Sequence, residues 1–350
     1  VDDDVLTGTL WVNGATVTVN AGVSFAYTDI EDFGDGVTFA GEGTATKFGT
    51  DLPVKDGLVF HLDASSGSSL VTNGNGQVTK WMSRAAGGYD FVCEPNEETT
   101  ADGKTYPSLP PLYVAEDGPT GRPAVKFYCA PDGSAVKSYL KGGSAIRHRT
   151  LFFLCRPPHR YPIGGSDKLK SQHRRDGFAS LYSRYQSYLV TVDAAYRSNT
   201  DYDYNRAWCW NPGYAKAAGG KALVDGNLRY EYERDADIEN PSVDFHSDLG
   251  DDLHLLTLVY GSGKTDGDVT VQPCLGAGYV QYGRAYSGTV SEVAVYDRIL
   301  SDAERQAVEE TILFRAFGTE WTGKGDATSW SDARNWSTGR VPTRHSYVRI

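Results

Sequence analysis

Several protein classes are excluded by what this chain has little of. Its 350 residues hold one methionine, no run of about 18 apolar residues and no surplus of basic charge. Without such a run, no membrane-spanning helix is encoded in this segment. The 45 acidic residues against 34 basic ones leave a formal charge of −11. That balance argues against nucleic-acid binding, which needs a basic stripe, and against docking on anionic lipid. The seven histidines are scattered, and no H-E-x-x-H, G-x-S-x-G or G-x-x-x-x-G-K-[ST] occurs, so zincin, serine-hydrolase and phosphate-cradle chemistry find no support. Five cysteines (Cys93, Cys129, Cys155, Cys209 and Cys274) are widely spaced with no C-x-x-C pair. Their odd number leaves at least one unpaired; the others are open either to disulfides in an exported chain or to buried thiols.

What is abundant is glycine (39) and tyrosine (22), a composition suited to β-sheets joined by many turns. The chain starts Val1-Asp2-Asp3-Asp4 and ends Tyr347-Val348-Arg349-Ile350, in what reads as the middle of a strand. The expectation is an excerpt of a longer exported protein, extracellular or at the cell surface.

Residues 1–50 read as short β segments punctuated by glycine. Thr9-Leu10-Trp11-Val12, Asn13-Gly14 and Ala15-Thr16-Val17-Thr18-Val19 form a hairpin signal, repeated at Asp35-Gly36 before Val37-Thr38-Phe39. This text resembles the rungs of β-solenoid or repeat stalks in bacterial surface proteins. A small independent β domain is the alternative. Residues 319–350 read as another unit, with Trp321-Thr322-Gly323, Trp330-Ser331, Asn335-Trp336-Ser337 and Val341-Pro342. It resembles the lead-in before β-helical repeats in the same class, its three tryptophans expected to pack together rather than bind sugar.

Between these, the stretch from Tyr286 to Leu313 switches period. Val290, Val293 and Val295 sit in a β-rich run closed by Tyr296 and Asp297; Ala303, Ala307, Val308 and Ile312 then follow helical spacing. Ser301 stands three residues before Glu304, the capping-box arrangement. The spacing predicts a strand running into a short helix at about 301–316. This segment resembles the closing part of laminin-G-like, concanavalin A-type jelly rolls, "G-x-I-x-E-V-x-x-Y-x-R-x-L-S-x-x-E-R". Upstream, Leu58–Ser65 is similar to that family's first core strand, and Val78–Ser83 to its "V-x-x-W-x-D" strand, with Ser83 where Asp is usual. Pro119–Phe127 is similar to "G-x-P-A-V-x-F", while Leu151–Leu154 and Leu255–Tyr260 fit two more strands. Together the matches cover roughly residues 53 to 317. The resemblance implies an all-β fold, an antiparallel β-sandwich with one short C-terminal helix, over 53–318.

Three clusters carry candidate chemistry. Residues 156–221 read as a polar, Gly- and Tyr-rich insertion holding Tyr202, Asp203, Tyr204, Asn205, Arg206, Trp208, Trp210 and Tyr214. Trp208 and Trp210 share one side of a strand. Rings beside Asp, Asn and Arg suit a sugar, whose C–H faces stack on them while short polar groups bind hydroxyls. The same rings also suit packing of the insertion onto the sandwich. Tyr182, Tyr185, Tyr188 and Tyr196 either extend that platform or, spaced by three, pack as one helix face.

Second, Glu231, Glu233, Asp235, Asp237 and Glu239 alternate, so an extended backbone would line their carboxylates along one face, about 6.5 to 7 Å apart. Glycoside hydrolases of the resembled fold carry "E-x-D-x-E" on a strand, with carboxyls about 5 to 5.5 Å apart in retaining enzymes. Here Asp replaces the final Glu, and Arg234 and Ala236 stand where that family has bulky apolar anchors. Third, the resemblance implies calcium as the one cofactor, bound at the sandwich rim by hard oxygen ligands. Asp201, Asp203, Asp248, Asp251 and Asp252 are the candidates, with ordinary Asp-rich turns as the alternative. His159-Arg160 and His173-Arg174-Arg175 form a basic patch that reads as a solvated loop or as a contact for acidic sugars.

The function implied is non-catalytic binding of a glycan or extracellular glycoprotein within a modular adhesin-like protein. A glycoside hydrolase or polysaccharide lyase using the 231–239 carboxylates comes second, and a structural spacer third.

Overall fold

The computed structural model describes residues 52–93, 105–117, 121–128, 137–156, 219–231, 252–262, 270–276, 288–342 and 346–350, with short strands inside 5–47 and at 97–99. Among the described residues the strands lie mostly in antiparallel sheets, with one α-helix.

The first 47 residues are different, because their strands pair in parallel. β1 (Val5–Leu6), β4 (Ser24–Tyr27) and β7 (Thr44–Lys47) stack in that order. β2 (Thr9–Val12) pairs with β5 (Asp29–Asp32), and β3 (Thr16–Thr18) with β6 (Thr38–Ala40). Val5 lies opposite Phe25, Ser24 opposite Thr44 and Thr9 opposite Asp29, a step of 20 residues, while Thr16 lies opposite Thr38, a step of 22. This is rung stacking, and it corrects the hairpin expected around Asn13-Gly14. β2 and β3 pair with later strands, not with each other. Asn-Gly supplies positive φ for a sharp change of direction; it does not dictate that the flanking strands become partners.

The central region has two antiparallel sheets. The smaller follows the order β24 (Cys274–Leu275), β17 (Leu140–Gly142), β11 (Asp90–Val92), β10 (Val78–Met82) and β9 (Leu70–Thr72). The larger follows β14 (Leu112–Asp117), β15 (Arg122–Phe127), β25 (Gly288–Tyr296), β19 (Thr150–Arg156), β22 (His254–Val259), β20 (Lys221–Val224) and β21 (Asn227–Glu231). β8 (Leu58–Asp63) pairs with the second half of β25. Minor pairings join β12 (Glu97–Thr99), β13 (Thr105–Leu109) and β16 (Lys137–Ser138), and β18 (Ile146–Arg147) with β23 (Thr270–Val271). One buried cluster draws on both sheets: Val78, Trp81, Phe91 and Leu140 from the smaller, Phe60, Leu62, Phe153 and Val293 from the larger. That shared core makes the arrangement sandwich-like.

β25 shows how sequence and register fit together. Val290 and Val293 are three apart, yet both face this core. Opposite β19, Cys155 pairs with Val290 and Leu154 with Glu292, so Ser291 is an extra residue in the ladder. The bulge resets the phase, and Val290, Val293 and Val295 all point inward.

The other face of the larger sheet lies under α1 (Asp302–Phe317). Phe152, Leu154, Leu255, Ala294 and Tyr296 pack there against Val308, Ile312 and Leu313. The capping box is present: Ser301 Oγ accepts from the Glu304 amide and Glu304 Oε2 accepts from the Ser301 amide. The inward stripe is not purely apolar, however. Ala303 is exposed, whereas Arg305 and Glu309 are buried as an i, i+4 ion pair. Cys155 is a buried thiol whose pKa burial pushes up; Cys129 and Cys209 lie outside the described residues.

After α1, β26 (Gly318–Glu320) pairs in parallel with β27 (Tyr347–Arg349). Trp321 bridges to Trp336, and both Trp321 and Trp330 meet the Trp336 ring edge-on, at centroid distances of 5.0 and 4.5 Å. Trp336 is buried and its indole N–H donates to the Trp330 carbonyl, while Trp330 keeps 49% of its surface exposed. The buried Asn335 side chain ties the loop together, accepting from the Gly325 and Ala327 amides and donating to Asp326 and the Ser329 carbonyl.

Candidate binding site

A cleft of about 790 Å³ opens beside the end of the larger sheet where β19 stops and β22 begins. Four parts of the chain build it. The sheet contributes Arg156 and His254; the end of β14 and the turn after it contribute Glu116 and Gly121; the β20–β21 turn and the start of β21 contribute Asp225 and Asn227. The last turns of α1 supply an apolar wall from Leu313, Ala316 and Phe317. The C-terminal unit closes the far side with Thr338, Arg340, Val341, Pro342 and Tyr347.

The sequence explains the turn that carries Asp225. Val224 and Asn227 pair directly, leaving Asp225-Gly226 as a two-residue loop with φ of 50° and 75°. Both values are left-handed, as in a type I′ hairpin, which favours Asp followed by Gly. In that conformation the Asp225 carboxylate lies against β22. Its Oδ1 accepts from the Leu255 amide at 2.8 Å, and its Oδ2 lies 2.7 Å from His254 Nδ1. Both oxygens are therefore engaged, and the imidazole is anchored at the cleft wall.

Arg156 is also committed within the fold. It donates to the Asp117 carbonyl at 3.2 Å and lies 3.6 Å from the Asp117 carboxylate, which itself accepts from Thr289 Oγ1 at 2.5 Å. Arg340, Glu116 and Asp252 are exposed at the mouth. Tyr347 keeps 37% of its surface open. Burial, and then the nearby acids Asp225, Glu309 and Glu310, push its phenol pKa up, so it remains a hydrogen-bond donor at neutral pH. The lining thus offers the half-open Tyr347 ring, an apolar wall, and both hydrogen-bond donors and acceptors.

A second cluster is buried under the C-terminal half of α1. His61, Asp63 and Glu292 bring ligand-type atoms within 4.8 Å of one another. His61 Nε2 donates to Glu292 Oε1 at 2.9 Å, and Arg122 Nη2 donates to Glu292 Oε2 at 2.8 Å and Asp63 Oδ1 at 3.2 Å. Arg84 holds Asp63 Oδ2 at 2.8 Å, and Arg315 of α1 donates to Glu292. Burial would raise the Asp63 carboxyl; Arg122, the Ser65 hydrogen bond, His61 and Arg315 outweigh it and hold the pKa below the ordinary value. Three guanidinium groups around two carboxylates do not fit a divalent cation, whose ligands they already occupy. This network fastens α1 to the sheet.

Most sequence candidates fall elsewhere. Tyr202, Asp203, Tyr204, Asn205, Arg206, Trp208, Trp210 and Tyr214 lie outside the described residues, as do the tyrosines at 182–196 and the basic patch. So do Glu233, Asp235, Asp237, Glu239, Asp201, Asp248 and Asp251. Glu231 ends β21, 3.8 Å from Lys221 Nζ on the neighbouring strand. Asp252 alone of the calcium candidates is described, at the cleft. Arg156, the last described residue before 157–218, and Asp252, the first after 232–251, both line the cleft. Sequence reasoning missed Arg156, His254, Arg340 and Tyr347 because they come from separated segments without a shared motif. The Asp225-Gly226-Asn227 turn was the one readable signal.

No family model matches the chain, and no curated protein does. Among solved structures it is similar to Trypanosoma rangeli sialidase in complex with 2,3-difluorosialic acid as a covalent intermediate, at 15% identity and a TM-score of 0.29. It is likewise similar to the same sialidase in complex with sialic acid, at 16% identity and a TM-score of 0.29. Each match covers 75% of this chain and 34% of the sialidase chain. The chain therefore spans about a third of the length of the sialidase it matches, and a TM-score this low does not place it in that fold.

Proposed function

We propose that this chain is a non-catalytic module that binds a glycan or an extracellular glycoprotein, on a laminin-G-like or concanavalin A-like jelly roll, within a larger secreted or cell-surface protein of adhesive type. The observation that carries the reading is the cleft at the sheet end, which combines saccharide-sized volume, a half-open tyrosine ring, an apolar wall and polar groups of both signs. The most enclosed acid on its wall, Asp225, has both oxygens engaged, which suits a scaffold residue better than a general acid or nucleophile. The reading extends to the rings of 202–214, on the insertion that leaves the sheet beside the cleft, and to a rim calcium held by Asp252 with Asp201, Asp203, Asp248 or Asp251. The partial likeness to sialidases adds no weight for binding or for turnover.

A glycan array probed with the full chain, with and without EDTA, tests this. Retention of a defined set of glycans supports it, weakened by Trp208→Ala or Trp210→Ala if those rings contribute. Loss of binding in EDTA, restored by calcium, supports the rim ion. Release of new reducing ends or unsaturated products from a polysaccharide would replace binding with catalysis.

A further inference from the structure

Resting on that reading, we infer that the cleft selects an uncharged saccharide unit, stacked on Tyr347, and rejects the same unit bearing a carboxylate or sulfate. The argument is one of charge. Among the described residues, the titratable groups lining the cleft are Glu116, Asp225, Asp252, Arg156, Arg340 and His254, with Tyr347 protonated. In the calcium-free chain, three acids against two arginines leave a formal −1 before the His254 imidazole, paired with Asp225, is counted.

The available charge is more lopsided still. Arg156 is committed to Asp117, which adds another carboxylate behind it. Among the described residues Arg340 is the remaining cation of the lining, which also holds two exposed acids, Glu116 and Asp252. An incoming anion would enter a cleft lined by these carboxylates, and physiological salt screens exposed charges fully only beyond about 8 Å. Like-charge placement against the wrong ligand is a direct route to specificity. A neutral sugar instead finds acceptors in Glu116 and Asp252, donors in Arg340 and Asn227, and a ring face in Tyr347. Because Tyr347 and Arg340 belong to the C-terminal unit, the site is shared: the sandwich alone lacks both its stacking ring and its mouth cation.

The test uses the full chain in EDTA, so that no rim calcium on Asp252 changes the charge, and glycan pairs that differ only by a terminal sialic acid or a sulfate, with affinities measured by calorimetry or biolayer interferometry. The neutral member is expected to bind at least about tenfold tighter. Tyr347→Ala should lose about tenfold or more, while Tyr347→Phe, which keeps the ring and the fold, should lose a few-fold at most. The Glu116→Gln/Asp252→Asn double variant should narrow the neutral-to-acidic ratio several-fold, a gain of acidic binding that misfolding does not mimic. Tighter binding of the acidic member overturns the inference. So does unchanged glycan binding by a folded Tyr347→Ala chain, which places the glycan elsewhere and leaves the proposed function standing. No glycan retained in any arm overturns both.

Discussion

Asp63 and Glu292 stand directly opposite each other across the antiparallel pair β8–β25, and Arg122 Nη2 donates to both. Two carboxylates facing across a ladder repel, and here both are buried. The arginine turns the repulsion into a three-strand clamp linking β8, β25 and β15, which Arg315 extends to α1. Removing the central cation leaves two desolvated anions without their shared partner. Arg122→Met is therefore expected to cost about 3–5 kcal/mol, read as a fall in the urea midpoint at unchanged slope. A loss below about 1 kcal/mol would mean that Arg84, Arg315 and His61 suffice without it.

Acid sensitivity should come largely from His148. Its ring is fully buried, edge-on to Tyr260 at 5.3 Å, and burial pushes its pKa down to about 3, against a small upward pull from the Ile146 backbone. The folded state therefore holds the neutral imidazole, while the unfolded chain takes up a proton near pH 6.5. The sign follows: stability is fully present above about pH 6.5 and is lost as pH falls toward 3. Asp63, also depressed, adds a second loss below its ordinary value of 3.8. Unfolding midpoints at pH 7, 5.5 and 4.5 should decline, and His148→Leu should flatten the decline. Equal slopes for both proteins would assign the acid sensitivity elsewhere.

Much of the sheet framework was legible from local pattern. Resemblance to the jelly-roll strand motifs marked β8, β10, β19 and β22, Asp225-Gly226 marked a two-residue hairpin, and Ser301 with Glu304 marked the start of α1. Each of these signals lies within a few residues, where turn chemistry and side-chain period act directly. The parallel pairing of the first 47 residues was harder to read, because partners 20 or 22 residues apart share no local signature and a glycine turn serves both topologies. The buried ion network was invisible for a related reason. His61 and Asp63 look like interruptions of an apolar strand until Glu292, Arg122 and Arg315 arrive from distant segments. The cleft belongs to the same class, assembled by topology from residues that are individually unremarked.

Gly276 gives a sharp test of the packing between the sheets. Its φ is +87°, and a Cβ there would run into the Phe127 ring and the Ser138 carbonyl oxygen. Phe127 is fully buried in the shared core and has little room to yield. Gly276→Ala is therefore expected to cost about 2 kcal/mol or more through backbone strain and overpacking together. Gly143, also in a loop but with nothing within 4 Å of its added Cβ, should tolerate alanine within about 0.5 kcal/mol. Thermal unfolding of the two variants side by side decides it; equal shifts would mean that Phe127 gives way.

The start of α1 offers a prediction separable from the cleft at its other end. Ser301 Oγ accepts from the Glu304 amide at 3.3 Å, and Glu304 is held in turn by both terminal nitrogens of Arg298, at 2.7 and 3.0 Å. That grip, with the Ser301 contacts, lowers the Glu304 carboxyl to about 2, so the box stays charged through the mildly acidic range. Ser301→Ala should cost about 1 kcal/mol, whereas Ser301→Asp, which restores an acceptor, and Ser301→Gly should cost only a few tenths. Hydrogen exchange locates the effect. The amides of the first turn, near Glu304 and Arg305, should lose protection in the alanine variant, while those of Ile312 and Leu313, packed on Phe152 and Tyr296, should keep theirs. If protection falls equally along the helix, the cap and the packed half unfold as one unit, and the buried Arg305–Glu309 pair between them is what joins the two.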